Sequence, residues 1–288
     1  MSATPIKIAS LACSYNRKEK TAAFLKSLLS QKIPGGYTLD PYLLDDNSSD
    51  GTAEYVRANF PSVTLVEGTG SLYWAGGMRT VWAVARKRAD YDFYLLLNDD
   101  VRLFDDTIAR LLEAYKLSKY EQNVLVGTVK DDEKLTITYG GHKLIKKQTG
   151  KVTTVVPSDT ELLECDLGNA NIMMVDKATV EKIGILSDSF THGLADFDYT
   201  LRAVKSGGKA WVAPGYYGYC INDHGKSWLP GSVPLKKRIA YLYSPTGISY
   251  KEYLLYTRRH FPLILPGVFV KAWLKTLFPI LYDKFKKQ

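Results

Sequence analysis

The sequence predicts an α/β protein: a Rossmann-like, mostly parallel central sheet with helices on both faces, followed by a helical C-terminal extension. Two observations carry this prediction. Short apolar runs alternate with segments of helical periodicity through residues 6–117, which implies right-handed βαβ crossovers and a parallel sheet. Two of those runs, Tyr42-Leu43-Leu44 and Tyr94-Leu95-Leu96-Leu97, are apolar at every position rather than at alternate ones, the pattern of strands buried on both faces. Both runs lead into paired aspartates, Asp45-Asp46 and Asp99-Asp100. Carboxylates in this position leave the sheet at its C-terminal edge, where doubly wound folds bind ligands.

Taken in order, the first strand is expected at 6–12 and the first helix at 18–31, with Ala22, Leu25, Leu28 and Leu29 on one side. The second strand, 38–44, ends at Asp45-Asp46. Asp50-Gly51-Thr52 then opens a short helix through Asn59 that Pro61 stops. A third strand, 63–66, runs into a glycine-rich turn, and a helix follows from Ala75 or Gly76 to Ala89. The fourth strand spans 93–97, with a helix at 106–117. Beyond it, 124–129, 135–139 and 151–156 read as strands or hairpin arms joined by Gly140-Gly141 and Gly150. Residues 166–175 read as one strand, 179–183 as a short helix, 196–206 as a helix stopped by Gly207-Gly208, and 210–213 as a last strand. The expected division is one α/β domain over 5–230 and a basic, aromatic extension over 231–288.

With 45% hydrophobic and 24% charged residues, the 288-residue chain buries a proper core and is not a disordered polymer. Residues 1–5 lack the basic and apolar pattern of a secretory signal. Cys13, Cys165 and Cys220 are odd in number and widely spaced, as reduced thiols are. A cytoplasmic location is therefore expected. The net charge of +8 is unevenly spread: residues 236–288 carry 11 Lys or Arg against Glu252 and Asp283, a balance of +9, so the remainder is 8 − 9 = −1. A basic tail on a nearly neutral body argues against nucleic acid as partner. Residues 261–270 are strongly apolar but short, with Pro262 and Pro266 inside and Lys271 and Lys275 beyond, so no bilayer span is expected. Trp273, Leu274, Leu277 and Leu281 fall on another side from those lysines. An interfacial helix fits, drawn by Lys284, Lys286 and Lys287 to anionic lipid at the inner face of the cell membrane. A terminal helix docked on the core, or an oligomer contact, is the alternative.

Four motifs in order carry a family resemblance: Ser14-Tyr15-Asn16-Arg17, Asp45-Asp46-Asn47-Ser48-Ser49-Asp50-Gly51-Thr52, Asn98-Asp99-Asp100, and Gly193-Leu194-Ala195-Asp196-Phe197-Asp198-Tyr199-Thr200-Leu201-Arg202. Over residues 6–228 the chain resembles the family 2 inverting glycosyltransferases of the GT-A fold. The resemblance implies transfer of a sugar from a nucleotide diphosphate sugar to an acceptor hydroxyl, with Mg²⁺ or Mn²⁺ as cofactor.

It also implies roles for residues. Asn16, Arg17, Asp45 and Asp46 fall on the nucleotide side, where a carboxylate accepts hydrogen bonds from ribose hydroxyls or a base N–H. Asn47, Ser48 and Asp50 read equally as a turn that caps the next helix. Asn98-Asp99-Asp100 stands at the family's D-x-D motif with Asn98 in the first position, leaving Asp100 as the direct metal ligand and Asp99 to hold the sugar or a coordinated water. Asp196 matches the general base. Ala195 replaces the usual preceding glutamate, and Asp198 and Arg202 form an i, i+4 ion pair if the segment is helical. His224, in Asn222-Asp223-His224-Gly225-Lys226-Ser227-Trp228, resembles a late metal ligand. Gly76, Gly77 and Arg79 resemble the donor loop, and Asn169 the lining of the sugar pocket. His142, His192 and His260 have no comparable setting, except that His192 lies close before Asp196 on the acceptor side.

The expected acceptor is a glycan or polyprenyl-linked glycan of bacterial surface-polysaccharide assembly, with rhamnosyl, galactosyl and N-acetylhexosaminyl donors all open. One rival is a sugar nucleotidyltransferase, which would normally carry a glycine-rich basic loop after the first strand; residues 13–19 contain no glycine. The other is a non-catalytic metal- or sugar-binding module.

Overall fold

A computed structural model describes residues 4–222 and 227–285. Among these residues the central sheet has ten strands. Its main path is formed by β1 (Ile6–Ser14), β2 (Tyr37–Asp45), β3 (Thr64–Glu67), β4 (Phe93–Leu97), β6 (Asn123–Lys130), β10 (Leu163–Cys165), β12 (Ile172–Asp176) and β13 (Lys209–Tyr219), in the order β10-β13-β6-β12-β4-β1-β2-β3. Two short strands complete it: β5 (Arg102–Leu103) on β13 and β7 (Ile137–Tyr139) on β6. The pairs β3-β2, β2-β1, β1-β4 and β6-β13 are parallel, while β12 runs antiparallel between β4 and β6. A separate antiparallel sheet contains β8 (Gly141–Lys146), β9 (Lys151–Thr154) and β11 (Leu167–Gly168).

The segment read as one strand over 166–175 is thus two, β11 and β12, in different sheets. The polar residues Asn169 and Asn171 lie in the break, at the edge where Ile172 pairs with Leu97.

Alternation along β4 shows why its sequence is apolar throughout. Tyr94 and Leu96 face one core with Leu11, Leu44, Trp82 and Tyr199. Phe93, Leu95 and Leu97 face the other with Phe24, Leu43, Leu111 and Leu125. The first core lies under α3 (Tyr73–Arg88) and α6 (Ala195–Lys205), the second under α1 (Lys18–Leu29), α2 (Thr52–Asn59) and α4 (Thr107–Lys116). Helix α5 (Lys177–Ile183) is capped by the carboxylate of Asp176, which accepts from the Thr179 amide at 2.8 Å.

Among the described residues four C-terminal helices follow: α7 (Leu235–Tyr243), α8 (Tyr250–His260), α9 (Leu265–Leu277) and α10 (Ile280–Phe285). Tyr256 of α8, with Phe261 just beyond it, lies in the first core. Helix α8 is therefore packed into the α/β body, although it falls in the segment read as an appended extension.

Candidate active site

The ends of β1, β2 and β4 and the start of β12 meet at one edge of the sheet, and most of the motif residues converge there. Asn16 staples the first two loops together: its amide donates to Ser48 Oγ at 2.8 Å, and its Oδ1 accepts from the Ser49 amide at 2.7 Å. Both Asn16 and Asn47 hold a positive φ, at 50° and 59°, a conformation asparagine tolerates better than most residues. Asp50 carries the turn role. It accepts from the Thr52 amide at 3.0 Å and the Lys18 amide at 2.9 Å. Burial opposes its ionisation, but these bonds and the Thr52 hydroxyl hold its carboxyl below the usual range.

The aspartates after β2 divide the work. Asp46 accepts the backbone amides of Gly70, Leu72 and Tyr73 at 2.7, 2.8 and 3.2 Å, so it clamps the turn that leads into α3. A Cβ on Gly68 would lie 2.5 Å from Asp46 Oδ1, which explains the glycine. Asp45 accepts only the Ser48 amide, at 3.0 Å on Oδ2; its Oδ1 is buried and accepts no hydrogen bond among the described residues. A buried carboxylate oxygen without a donor is costly, and it offers an acceptor to a ligand.

After β4, Arg17 Nη1 reaches Asp100 Oδ2 at 3.0 Å and Asp99 Oδ1 at 3.4 Å. Asp99 also accepts from the Thr21 hydroxyl at 3.2 Å, which Ser14 approaches at 2.7 Å. Burial pushes Asp99 up to about 6; Arg17 pulls it down and the Asp100 charge adds to the rise. Asp100 Oδ1 faces the Cys220 thiol at 3.5 Å. One guanidinium shared by two carboxylates leaves a net negative charge. The Arg17 side chain is 43% exposed against 15% for Asp100 and 6% for Asp99, so Asp100 is the more open of the two acids. Among the described residues, no three His, Cys, Asp or Glu side chains converge as a protein metal cage. A hard divalent cation that takes Asp100 and fills its shell with water and substrate phosphate oxygens fits this donor set. His224, the other expected ligand, lies outside the described residues.

Helix α3 begins at Tyr73, before the expected start, so Gly76 and Gly77 lie within its first turns and are buried. A Cβ on Gly77 would sit 3.1 Å from that of Cys13, so this glycine lets α3 lie against β1. The α3 N-terminus is occupied: the Ala75 amide donates to the Thr191 carbonyl at 3.0 Å. Arg79 donates to the carbonyls of Ser187 and Phe190 at 2.9 and 2.6 Å. Both contacts anchor the loop leading to Asp196, where a donor-binding role was expected of Arg79 and the two glycines.

Asp196 is in the first turn of α6, one residue inside its start, with Leu194 at the N-cap. Its Oδ2 accepts from the Ala170 amide at 3.2 Å and its Oδ1 from its neighbour Phe197 at 2.8 Å. Burial raises its pKa; the backbone bonds and the Asn169 side chain oppose the rise. Asn169 Oδ1 lies 3.1 Å from His142 Nε2. With that nitrogen donating, the Asn169 amide group is free to donate towards Asp196.

The 169–171 segment joins the two halves of the site. Ala170 holds Asp196, while the Asn171 carbonyl accepts the Asn98 amide at 3.2 Å. Asn98 Oδ1 accepts Trp74 Nε1 at 2.8 Å, and the Trp74 amide meets His192 Nδ1 at 3.4 Å. The acid pair and Asp196 therefore share one edge of the sheet.

The expected Asp198–Arg202 pair is present at 2.8 Å. Helix α8 adds Arg259 and His260, at 2.7 and 2.8 Å from Asp198 Oδ1. Lys205 Nζ approaches His260 Nδ1 at 3.0 Å, which leaves Nε2 as the donor to Asp198. Glu252, also on α8, accepts the Thr191 amide at 3.1 Å. Thus the three histidines given no role by the motifs each touch a residue of the site or its support.

Residues 11–164 match the family described as Glycosyl transferase family 2. No curated protein matches the chain significantly. Among solved structures, a mannosyltransferase, PcManGT from Pyrobaculum calidifontis, in complex with GDP-Man and Mn²⁺, aligns over 99% of this chain and 77% of its own at 14% identity and TM-score 0.56. S. aureus TarS 1-349 aligns over 98% and 76% at 15% identity and TM-score 0.55. S. aureus TarS itself aligns over 75% of this chain at 17% identity and TM-score 0.53, but the match spans only 37% of TarS. At these identities the likeness shows the GT-A fold.

Proposed function

The chain belongs to glycosyl transferase family 2, and from that premise we propose that it is a metal-assisted, inverting enzyme with Asp196 as general base. In this reading a sugar moves from a nucleotide diphosphate sugar to a hydroxyl of a glycan or polyprenyl-linked glycan presented at a membrane. Binding of UDP, UDP-GlcNAc and GDP-Man by the solved neighbours supports a nucleotide-sugar donor.

The observation that carries the reading is the 169–171 bridge: one three-residue segment holds Asp196 and Asn98 at the same edge. Asp45 Oδ1 takes a hydrogen bond from the nucleoside. Asp100 would hold Mg²⁺ or Mn²⁺, which when bound supplies positive charge at the diphosphate. Asp196 accepts the proton of the acceptor hydroxyl as that oxygen attacks the anomeric carbon. The new C–O bond forms as the bond to the diphosphate breaks, and its electron pair leaves with the nucleoside diphosphate. A carboxylate that acts as base on the acceptor side suits a one-step displacement, and hence inversion.

Incubation with UDP- and GDP-sugars, an oligosaccharide acceptor and Mn²⁺ tests this. Release of nucleoside diphosphate with a product of inverted anomeric configuration supports it. Release of pyrophosphate from a nucleoside triphosphate and a sugar phosphate would favour the nucleotidyltransferase instead.

A further inference from the structure

Helix α9 is turned inside out relative to a helix that merely docks on a core. It buries small residues four apart, Val268, Ala272 and Thr276, and exposes Phe269, Val270, Leu274 and Leu277. The apolar exposure continues through Phe278, Ile280 and Leu281 to Phe285, which is 80% exposed. Contiguous apolar exposure of this kind marks an interaction surface.

Charge follows the same division. Between 250 and 285 there are two acids, both hydrogen-bonded within the chain: Glu252 accepts the Thr191 amide at 3.1 Å, and Asp283, though exposed, accepts Trp228 Nε1 at 2.9 Å. Lys251, Arg258, Lys271 and Lys284 are exposed. A groove of about 500 Å³ runs between α8 and α9, walled by Leu254, Leu255, Leu265 and Phe269, with Lys251 and Arg258 also lining it.

We propose that this face, centred on the α8–α9 groove, docks on the anionic headgroups of a lipid bilayer. The proposal deepens, and rests on, the reading of a membrane-presented acceptor. Apolar side chains enter the headgroup boundary while the long cations reach phosphates, the arrangement of an interfacial helix. The 13 residues of α9 extend about 20 Å, short of a hydrocarbon core of about 30 Å, and no described helix is long and apolar enough to cross a membrane. A second copy of the chain suits the face less well, because a two-fold contact would set its cations against themselves. An anionic surface turns the same charges into attraction. Helix α8 lines the groove and also holds Thr191 and Asp198, so one helix connects the docked face to the acceptor side of the site.

The test is sedimentation of the full chain with phosphatidylcholine vesicles, with and without an equal share of phosphatidylglycerol. Binding to the mixed vesicles only, released by salt, is expected. K271Q/K284Q should weaken it roughly 25-fold, about five-fold per lysine. F269S/L274S/L277S should abolish it while the chain stays folded by circular dichroism and turns over a water-soluble acceptor as the wild type does. Equal binding to both vesicle types, or none, overturns the proposal. So does a triple variant that converts a dimer to a monomer in the ultracentrifuge without changing vesicle binding. Vesicle binding requires no nucleotide sugar, so a chain that binds vesicles but transfers nothing would count against the enzymatic reading alone.

Discussion

Arg259 donates to Asp198 across 2.7 Å, joining α8 to the helix that carries Asp196. Asp198 is fully buried and ringed by Arg202, Arg259 and His260. Removing one side of a buried charge cluster costs about 3–5 kcal/mol. Asp198→Ala should fall at the low end, about 3 kcal/mol, because the Arg202 and Arg259 side chains remain 23% and 31% exposed. Urea unfolding measures this, and a loss under about 1 kcal/mol would show the cluster to be incidental.

The same cluster sets an acid sensitivity. Burial would raise Asp198, but bonds from His260, Arg259 and Arg202 bring it below 3.8. Burial lowers His260 below 6.5, with its bond to Asp198 opposing and Lys205 assisting. Both folded-state values are depressed, so both groups stabilise fully at higher pH and lose that contribution as pH falls. Stability should therefore decline first below about 6.5, as His260 protonates in the unfolded chain, and again in the carboxylate range. Melting curves of His260→Gln should lack the first decline.

Asp45 and Asp46 are adjacent but should respond differently. Asp46→Ala strips three amides of their acceptor and should cost about 1–3 kcal/mol of stability. Asp45→Asn should leave stability nearly unchanged and weaken nucleoside diphosphate affinity about ten-fold or more, as for loss of a hydrogen bond to a charged group. Calorimetry together with denaturation separates these outcomes; a stability loss with intact affinity in Asp45→Asn would remove its ligand role.

Asp196 is raised above 3.8 by burial, so the acid limb of kcat/KM should lie above the ordinary aspartate range. Asn169→Ala removes a bond that lowers this group and should shift the limb to higher pH. His142→Ala should shift it the same way by less, since His142 acts through Asn169. A pH profile identical to wild type in both variants would make the pair structural only.

Much of the fold was legible because β4 and the second half of β2 are buried throughout and carry uninterrupted apolar runs. Asp45-Asp46 and Asp99-Asp100 were legible because they stand at the ends of such strands. The break of 166–175 into two strands was hidden, since a local run does not show which sheet each half joins. The supporting histidines were hidden for a related reason: His142, His192 and His260 find Asn169, Trp74 and Asp198 at separations of 27, 118 and 62 residues. No local spacing encodes those contacts. The place of Tyr256 and Phe261 in the main core was masked by the basic, aromatic composition around them. Truncation after Trp228 should consequently lower the melting temperature markedly, and by more than truncation before Leu265, which removes only the Ala272 side of the Leu242–Tyr250 cluster.

The most direct measurement pairs donor binding with turnover in Asp196→Asn. Calorimetry should give a nucleoside diphosphate affinity in Mn²⁺ close to that of the wild type, while kcat falls by about 10²–10⁴. Turnover that stays near wild type with the amide in place would contradict the account, because the acceptor proton would then be leaving by another route.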